Sequence, residues 1–513
     1  MTTEKNKSRN QIICIALFIV YAVLTLIGAA KHEIWYDEAQ AWTIARDNTI
    51  GGIFEQLRYE GHPPLWYLIL FIFAHLGFSC DVIPFISWFF TGLAAAVVMF
   101  KSPFSTITKA LLLFSGGFLF FNSVMSRTYC LINLLLVLIA VLFSKRKEHP
   151  VIFGTLVALL ANTHICVSGF IGAMGLIMLH DIYSDWKTNT SRKNVLNLTG
   201  LAIAGIGVLM LIIPLIGSLN SNSITSGGNI TVKSCLTAIS ESFFKISYML
   251  LGAYIRSEYL LSGILSVIFI ILLILIRHKI RPLITLILSV IFYIISSEII
   301  WFANPHRVHT FVMFFVIAIW IADDEPQNKC SEIWKKLNLN GSSKLITKLV
   351  TAIKNCDINF KSTYIKCLSV ILLLSMPVGV SYLVKDYTNS FSVGKEIAEY
   401  VKENLPSDSV FVITDTMQSQ IAAYLPGYKF YSIEEQQFTT YSSHSKPEII
   451  SYSKIYNDLK DCPHLYQINV FIDIDAIESN RDIVYKIRDG INFGTNARYV
   501  EILTLDAEKE LKP

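Results

Sequence analysis

The acidic pair Asp37-Glu38 lies in the stretch Lys31-His32-Glu33-Ile34-Trp35-Tyr36-Asp37-Glu38-Ala39-Gln40-Ala41-Trp42, just beyond a long apolar run and bracketed by aromatic residues. A carboxylate at the mouth of a helix bundle can take a proton from a hydroxyl, or hold a divalent cation such as Mg or Mn. The plainer alternative is that Asp37 and Glu38 cap a loop helix, because acidic side chains favour a helix N-terminus. That helix is predicted to run to about Tyr59, where Glu60-Gly61-His62-Pro63-Pro64 stops it: two prolines cannot continue the hydrogen-bond ladder. Cations and imidazoles recur farther along. Arg127 and Tyr129 stand at the ends of two apolar runs and His164 in a short polar turn. Arg256 precedes another run, and His306-Arg307-Val308-His309 opens a later one. An ionisable group at membrane depth costs about 2.5–3.5 kcal/mol on insertion scales. Snorkelling at the interface explains any one of these groups alone. Several on one face, opposite an acid, suit an anionic lipid headgroup held beside a base. Lone histidines such as His75 and His180 read as structural.

The elements that must carry these groups are membrane spans. Of 513 residues, 53% are hydrophobic and 16% charged, with a mean hydropathy of +0.50. A soluble globular chain carries about a quarter charged residues, so a disordered polymer, a disulfide scaffold and an ordinary cytosolic enzyme are all excluded. The net charge of +4 gives a nucleic-acid partner no electrostatic support. The 9 cysteines form no C-x-x-C pair, and Cys14, Cys130 and Cys166 sit in apolar surroundings, which indicates neither a zinc site nor a disulfide framework. Apolar runs predict spans near 11–30, 82–100, 109–122, 128–144, 150–162, 166–180, 195–219, 258–276, 283–301, 308–322 and 364–383. With the N-terminus inside, the inner segments gather Lys5, Lys7, Arg9, Lys101, Lys109, Lys145–Lys147, Lys187, Arg192, Lys193, Arg277, Lys279, Arg281 and seven lysines between Lys329 and Lys361. The outer loops then hold only Lys31, Arg46, Arg58, Arg127, Lys233, Lys245, Arg256 and Arg307. This asymmetry predicts a cytoplasmic N-terminus and an extracytoplasmic C-terminus.

Residues 65–78 are apolar but short. A crossing there would put Lys101 and Lys145–Lys147 outside, so the segment reads as a helix along the outer interface. Asn162-Thr163-His164 reads as an outer turn between two short crossings. The first run exceeds a usual signal-peptide core, although Gly28-Ala29-Ala30 supplies small residues before Lys31, so it reads as a span. Residues 384–513 differ in kind. Val393, Ile397 and Val401 fall at helical spacing, and strands are predicted at Val410–Ile413, Lys429–Ile433, Val470–Ile474 and Tyr499–Leu503, with a helix pattern at Ile483 and Ile487. The expected architecture is a polytopic α-helical membrane domain, 1–383, with an outer catalytic loop at 31–81 and a small extracytoplasmic α/β domain, 384–513. No Gly-rich phosphate loop follows a strand there. The lysine-rich stretch 323–363 reads as a cytoplasmic connection.

Trp35-Tyr36-Asp37-Glu38-Ala39 after the first span, followed by Glu60-Gly61-His62-Pro63-Pro64-Leu65-Trp66-Tyr67, resembles the first outer loop of the GT-C glycosyltransferases. Family 39 protein O-mannosyltransferases and the aminoarabinose transferases of lipid A are the nearest in pattern. Ser126-Arg127-Thr128-Tyr129 and the Thr163-His164 turn are similar to positions in the same group, and the resemblance covers residues 1–320. It implies a GT-C-like bundle of about 11 spans and a polyprenyl-phosphate-linked sugar donor. It also implies transfer on the extracytoplasmic face to an envelope protein, lipid or glycan acceptor. On this resemblance Asp37 is the catalytic or metal-binding acid with Glu38 beside it, and Glu60 and His62 form the end of the loop. Two departures stand out: many relatives carry a second acid where this chain has Arg127 and Tyr129, and a lysine where it has His164.

A lipid phosphate leaves as a stable anion, since the second pKa of a phosphate monoester lies near 6. The site therefore needs a base for the acceptor hydroxyl, a cationic cradle for the phosphate and in-line geometry. Asp37 is the expected base, with Arg127, Arg307, His306 and His164 at the phosphate, and backside attack implies inversion at the anomeric carbon. Two other classes fit a multi-pass chain. A lipid-carrier flippase would spread charge through the membrane's depth, and a polysaccharide polymerase would place its defining loop late in the chain. Here the charges collect at one end, and the acidic motif follows the first span.

Overall fold

A computed structural model describes residues 2–187, 191–220, 232–251, 258–299, 305–324, 360–413, 417–443, 450–472, 483–488, 498–506 and 511. Among the described residues seven helices are long and apolar enough to cross a membrane: Ser8–Lys31, Cys80–Lys101, Ile165–Trp186, Val195–Ile212, Ile280–Ser297, His306–Asp323 and Phe360–Thr388. Shorter apolar helices at Leu65–His75, Tyr129–Lys145, Pro150–Ala161 and Tyr259–Leu275 stand among them. The chain is a multi-pass helical membrane protein with a small sheet-containing region at its C-terminal end.

Between the first long helix, α1 (Thr2–Lys31), and α5 (Ile83–Lys101) come three helices, α2 (Tyr36–Asp47), α3 (Ile50–Glu60) and α4 (Leu65–His75). The single loop helix expected up to Tyr59 is thus two. Asn48 adopts an extended backbone, and the Thr49 hydroxyl restarts the ladder by accepting from the Gly52 N–H at 3.2 Å. Gly61, with φ of 65°, closes α3 in the left-handed region that favours glycine. The predicted span 109–122 is also interrupted. The chain forms α6 (Thr106–Leu113), then a single π-helical turn at Gly117–Phe121, and α7 (Tyr129–Leu142) begins beyond a loop. The Ser115-Gly116-Gly117 sequence supplies the weak point, since serine and glycine lower helix propensity.

The turn expected at Asn162–His164 separates α8 (Pro150–Ala161) from α9 (Ser168–Trp186). Helix α10 (Ser191–Asn220) packs along α8 at close range. A Cβ on Gly154 would lie 2.0 Å from the Gly200 carbonyl oxygen, so only glycines allow this approach. The same contact fixes the turn, because the Asn162 amide donates to the Gly207 carbonyl at 3.1 Å.

Helix α11 (Val232–Leu251) lies where an outer loop carrying Lys233 and Lys245 is expected. It packs on α12 (Glu258–Leu275), α13 (Ile280–Ile299) and α14 (Pro305–Asp324) and buries Ile246, Leu250 and Leu251. Arg256 and most of the lysine-rich connection, 325–359, lie outside the described residues.

The last long helix, α15 (Phe360–Thr388), leads into α16 (Gly394–Asn404) and the sheet. Its strands are β1 (Val410–Ile413), β2 (Lys429–Ser432), β3 (Gln437–Phe438), β4 (Leu465–Ile472), β5 (Ile483–Arg488) and β6 (Arg498–Thr504). They lie in the order β3-β2-β1-β4-β6-β5. The central strands β2, β1 and β4 are parallel, and the outer pairings are antiparallel. Ile483 and Ile487 therefore belong to a strand, not to the helix expected there; with Tyr485 between them they satisfy a period of two as well as a spacing of four. The expected strand Val470–Ile474 is the second half of β4, and its last two positions lie outside the described residues. Two short helices, α17 (Met417–Ala422) and α18 (Tyr452–Leu459), complete the unit, and α17 packs directly on α2.

Candidate active site

The N-terminus of α2 is built by Glu38. Its carboxylate reaches back to accept from the Trp35 N–H at 2.9 Å, closing the first turn. The same carboxylate accepts from the Ser126 N–H and from His32 Nε2, the latter at 3.0 Å, and its side chain is 0% exposed. Three fixed donors thus engage Glu38. Asp37, one residue earlier, points elsewhere: its side chain is 23% exposed and its carboxylate pairs with the Arg127 guanidinium. Arg127 lies one residue after Ser126, so the two loops that carry the ion pair are joined through Glu38.

Arg127 is almost wholly enclosed, and burial lowers it to about 10, which leaves it cationic at neutral pH. Arg307 lies close to Tyr129, and its Nε–H donates to His306 Nε2 at 3.1 Å. The Tyr129 ring stands 5.8 Å from that of His306 and 5.5 Å from that of His164. Trp35 packs edge-on against His306 at 5.9 Å. His164 Nδ1 accepts from the Cys166 N–H at 3.1 Å, so a neutral ring presents its hydrogen at Nε2. Its neighbour His62, with ring centres 5.6 Å apart, binds the Glu60 carbonyl through Nδ1 at 2.7 Å, which leaves Nε2 as the acceptor in a neutral ring. Glu60 itself takes a hydrogen bond from Gln40 at 2.8 Å.

Residues from five separate stretches of sequence therefore meet at one end of the bundle: Asp37 and Glu38; Glu60 and His62; Arg127 and Tyr129; His164; His306 and Arg307. The chemistry the cluster offers is one carboxylate opposite fixed cations, suited to an anion next to a proton acceptor. A divalent cation does not fit this donor set. Asp37 pairs with Arg127, and among the described residues no group of three or more His, Cys, Asp or Glu side chains is placed to hold a metal ion.

Two contributors were not visible in the sequence. His32 bridges Glu38 to Asp386, 354 residues away, with Nδ1 2.9 Å from the Asp386 carboxylate. Ser442 of the C-terminal unit pairs with the Gln40 side chain through both its N–H (3.1 Å) and its carbonyl (2.7 Å), beside Glu60. No local motif announces either contact.

No protein-family model matches the chain, and no curated protein sequence matches it. Among solved structures, the crystal structure of ArnT from Cupriavidus metallidurans, bound to undecaprenyl phosphate, is similar with a TM-score of 0.52. The match covers 97% of this chain and 99% of that one at 13% sequence identity. At that identity the likeness is one of fold: the chain shares the fold of that protein over nearly its whole length.

Proposed function

We propose that the protein transfers a sugar from a polyprenyl-phosphate-linked donor to an acceptor hydroxyl on the extracytoplasmic face of the membrane. The observation that carries this reading is the Asp37–Arg127 ion pair, set against Arg307, His306, His164 and Tyr129 in a chain with the fold of ArnT. The solved ArnT structure holds undecaprenyl phosphate, and a lipid phosphate is the ligand that the buried Arg127 and the half-buried Arg307 would attract. In the free protein Arg127 is neutralised by Asp37. A donor phosphate competes for that guanidinium, and the carboxylate it displaces becomes available as a base.

The acceptor oxygen then attacks the anomeric carbon as the bond from that carbon to the phosphate oxygen breaks. The hydroxyl proton passes to Asp37, and the bonding pair leaves with the polyprenyl phosphate. A positioned base contributes about 10²–10⁴-fold in rate. Fixed guanidinium groups in a dry pocket stabilise the departing charge without reorganising. Single displacement inverts the anomeric configuration. Glu38, saturated by hydrogen bonds, is a positioning residue in this scheme, and His62 with Glu60 shapes the acceptor side.

Asp37→Asn tests the reading. The isosteric amide should fold, bind undecaprenyl phosphate and lose at least about 10²-fold in turnover, followed by mass spectrometry of envelope material in a strain lacking the native gene. Near-normal modification by Asp37→Asn, or a product that retains the donor's configuration, would remove Asp37 and single displacement from the mechanism.

A further inference from the structure

His32, Glu38 and Asp386 form a buried carboxylate–imidazole–carboxylate bridge whose side chains are 0%, 0% and 1% exposed. Its geometry is that of a clamp. Glu38 belongs to the first turn of α2, which carries Asp37, and also accepts from Ser126 beside Arg127. Asp386 belongs to the last turn of α15, which leads into the C-terminal unit. We propose that His32 is a positioning residue: by holding Glu38 and Asp386 at once, it sets where Asp37 meets Arg127 and ties that geometry to the seating of α15. The proposal rests on the reading of Asp37 and Arg127 as the reactive pair.

Two features favour a purpose beyond packing. Phe120 and Phe391 pack against the ring at centroid distances of 6.3 and 5.1 Å, and its side chain is wholly buried. Burying three ionisable groups is also costly where apolar side chains of like volume would serve, and such bridges are best justified by the register they fix. Other charged groups near the ring are Glu33 and Lys31 on its own stretch and Asp81, Lys395, Glu396 and Glu399 across an adjoining cleft of about 590 Å³. Burial alone would disfavour the imidazolium, but Asp386 and then Glu38 outweigh it and hold the proton well above the usual histidine range. A group whose folded pKa is raised keeps its bridge at low and neutral pH and loses it as pH rises through that folded value. Losing the proton takes the imidazole hydrogen bond from one of the two carboxylates, and the clamp opens.

The experiment uses the purified full-length protein, with undecaprenyl phosphate binding followed by tryptophan fluorescence. Turnover is measured by mass spectrometry in membranes of the gene-deleted strain, between pH 6 and 10. His32→Gln can donate to only one carboxylate. It should lose about 10²-fold in turnover, the scale of an ångström-sized misplacement, while its Kd for undecaprenyl phosphate changes less than about threefold. Asp386→Asn keeps the hydrogen-bond chain through a neutral imidazole. It should retain turnover at pH 6–7 and show no alkaline limb up to the pH at which the parent's turnover has fallen, because the bridge no longer depends on the second imidazole proton.

A wild-type rate and profile in His32→Gln would overturn the proposal. So would loss of binding and folding in His32→Gln together with an unmoved profile in Asp386→Asn, which would make the bridge merely structural. If Asp37→Asn is inactive in the same assay, either failure removes only the positioning role. If Asp37→Asn turns over normally, the reading of the site falls and this proposal with it.

Discussion

Asp37 and Glu38 are neighbours in sequence with opposite surroundings. Glu38 takes hydrogen bonds from two backbone N–H groups and an imidazole in an enclosed space, while Asp37 meets one guanidinium at a partly open edge. A helix N-terminus explains both acids in the sequence, and only the fold separates the one that caps from the one that faces the cations. Glu33, four residues before Asp37, shows a third outcome. Burial, offset only in part by Lys395, raises its carboxyl to about 7 from 4.5. Between those values the folded chain holds a proton that the unfolded chain has released, so stability falls as pH rises across the interval. Glu33→Gln should remove that slope: the melting temperature of the variant, followed from pH 4.5 to 7.5, should decline less steeply than that of the parent. Parallel curves would show that Glu33 titrates in the folded protein as it does in water.

At the scale of elements, most of the bundle was legible because a bilayer imposes one rule, a helix of apolar residues about 20 long. What escaped the rule is as informative. Helix α11 carries Lys233, Ser234, Glu241 and Lys245, too polar to stand out as a span, yet it buries Ile246, Leu250 and Leu251 against its neighbours. The break at Asn48-Thr49 depends on a single hydroxyl cap, and strand β5 satisfies helical spacing as well as alternation. The Asp37 motif and the cations were legible from residue type and order. His32–Asp386 was not, because its partners are distant in sequence and neither carries a local signal. Helix–helix contact is just as specific and can be tested at one pair of positions. Gly154→Val would drive a branched side chain into the Gly200 backbone and should cost about 3 kcal/mol, the upper range for overpacking. A Cβ on Gly205, also on α10, meets nothing within 4 Å, so Gly205→Ala should melt with the parent. Equal melting temperatures for the two variants would show that α8 and α10 are not packed as described.

The molecule as a whole is polarised. The end that carries the α/β unit gathers Asp37, Arg127, Arg307 and the histidines. Another cluster pairs Arg146 with Asp181 at 2.7 Å, Arg281 with the same carboxylate at 3.6 Å, and Lys147 with Asp185 at 2.5 Å. Lys101 and Lys109 flank the short connection from α5 to α6. The positive-inside rule assigns such lysine- and arginine-rich segments to the cytoplasm, and the Asp37 end then faces outward, where a lipid-linked sugar and an envelope acceptor could both reach it. Orientation is thus a prediction about the whole chain that two surface positions can decide. Ile50 stands exposed at the start of α3, and Ser105 is exposed in the connection before α6. Neither side chain is enclosed, and Ser105→Cys gives up only the cap that its hydroxyl makes to the Thr108 N–H, a loss of about 1 kcal/mol. In intact cells, Ile50→Cys should react with a membrane-impermeant maleimide above the background of the unsubstituted chain, and Ser105→Cys should react only after the membrane is opened. Labelling of Ser105→Cys from outside, with Ile50→Cys protected, would invert the chain and bring the arginine cluster to the cytoplasmic face, where the donor reaction proposed here could not take place.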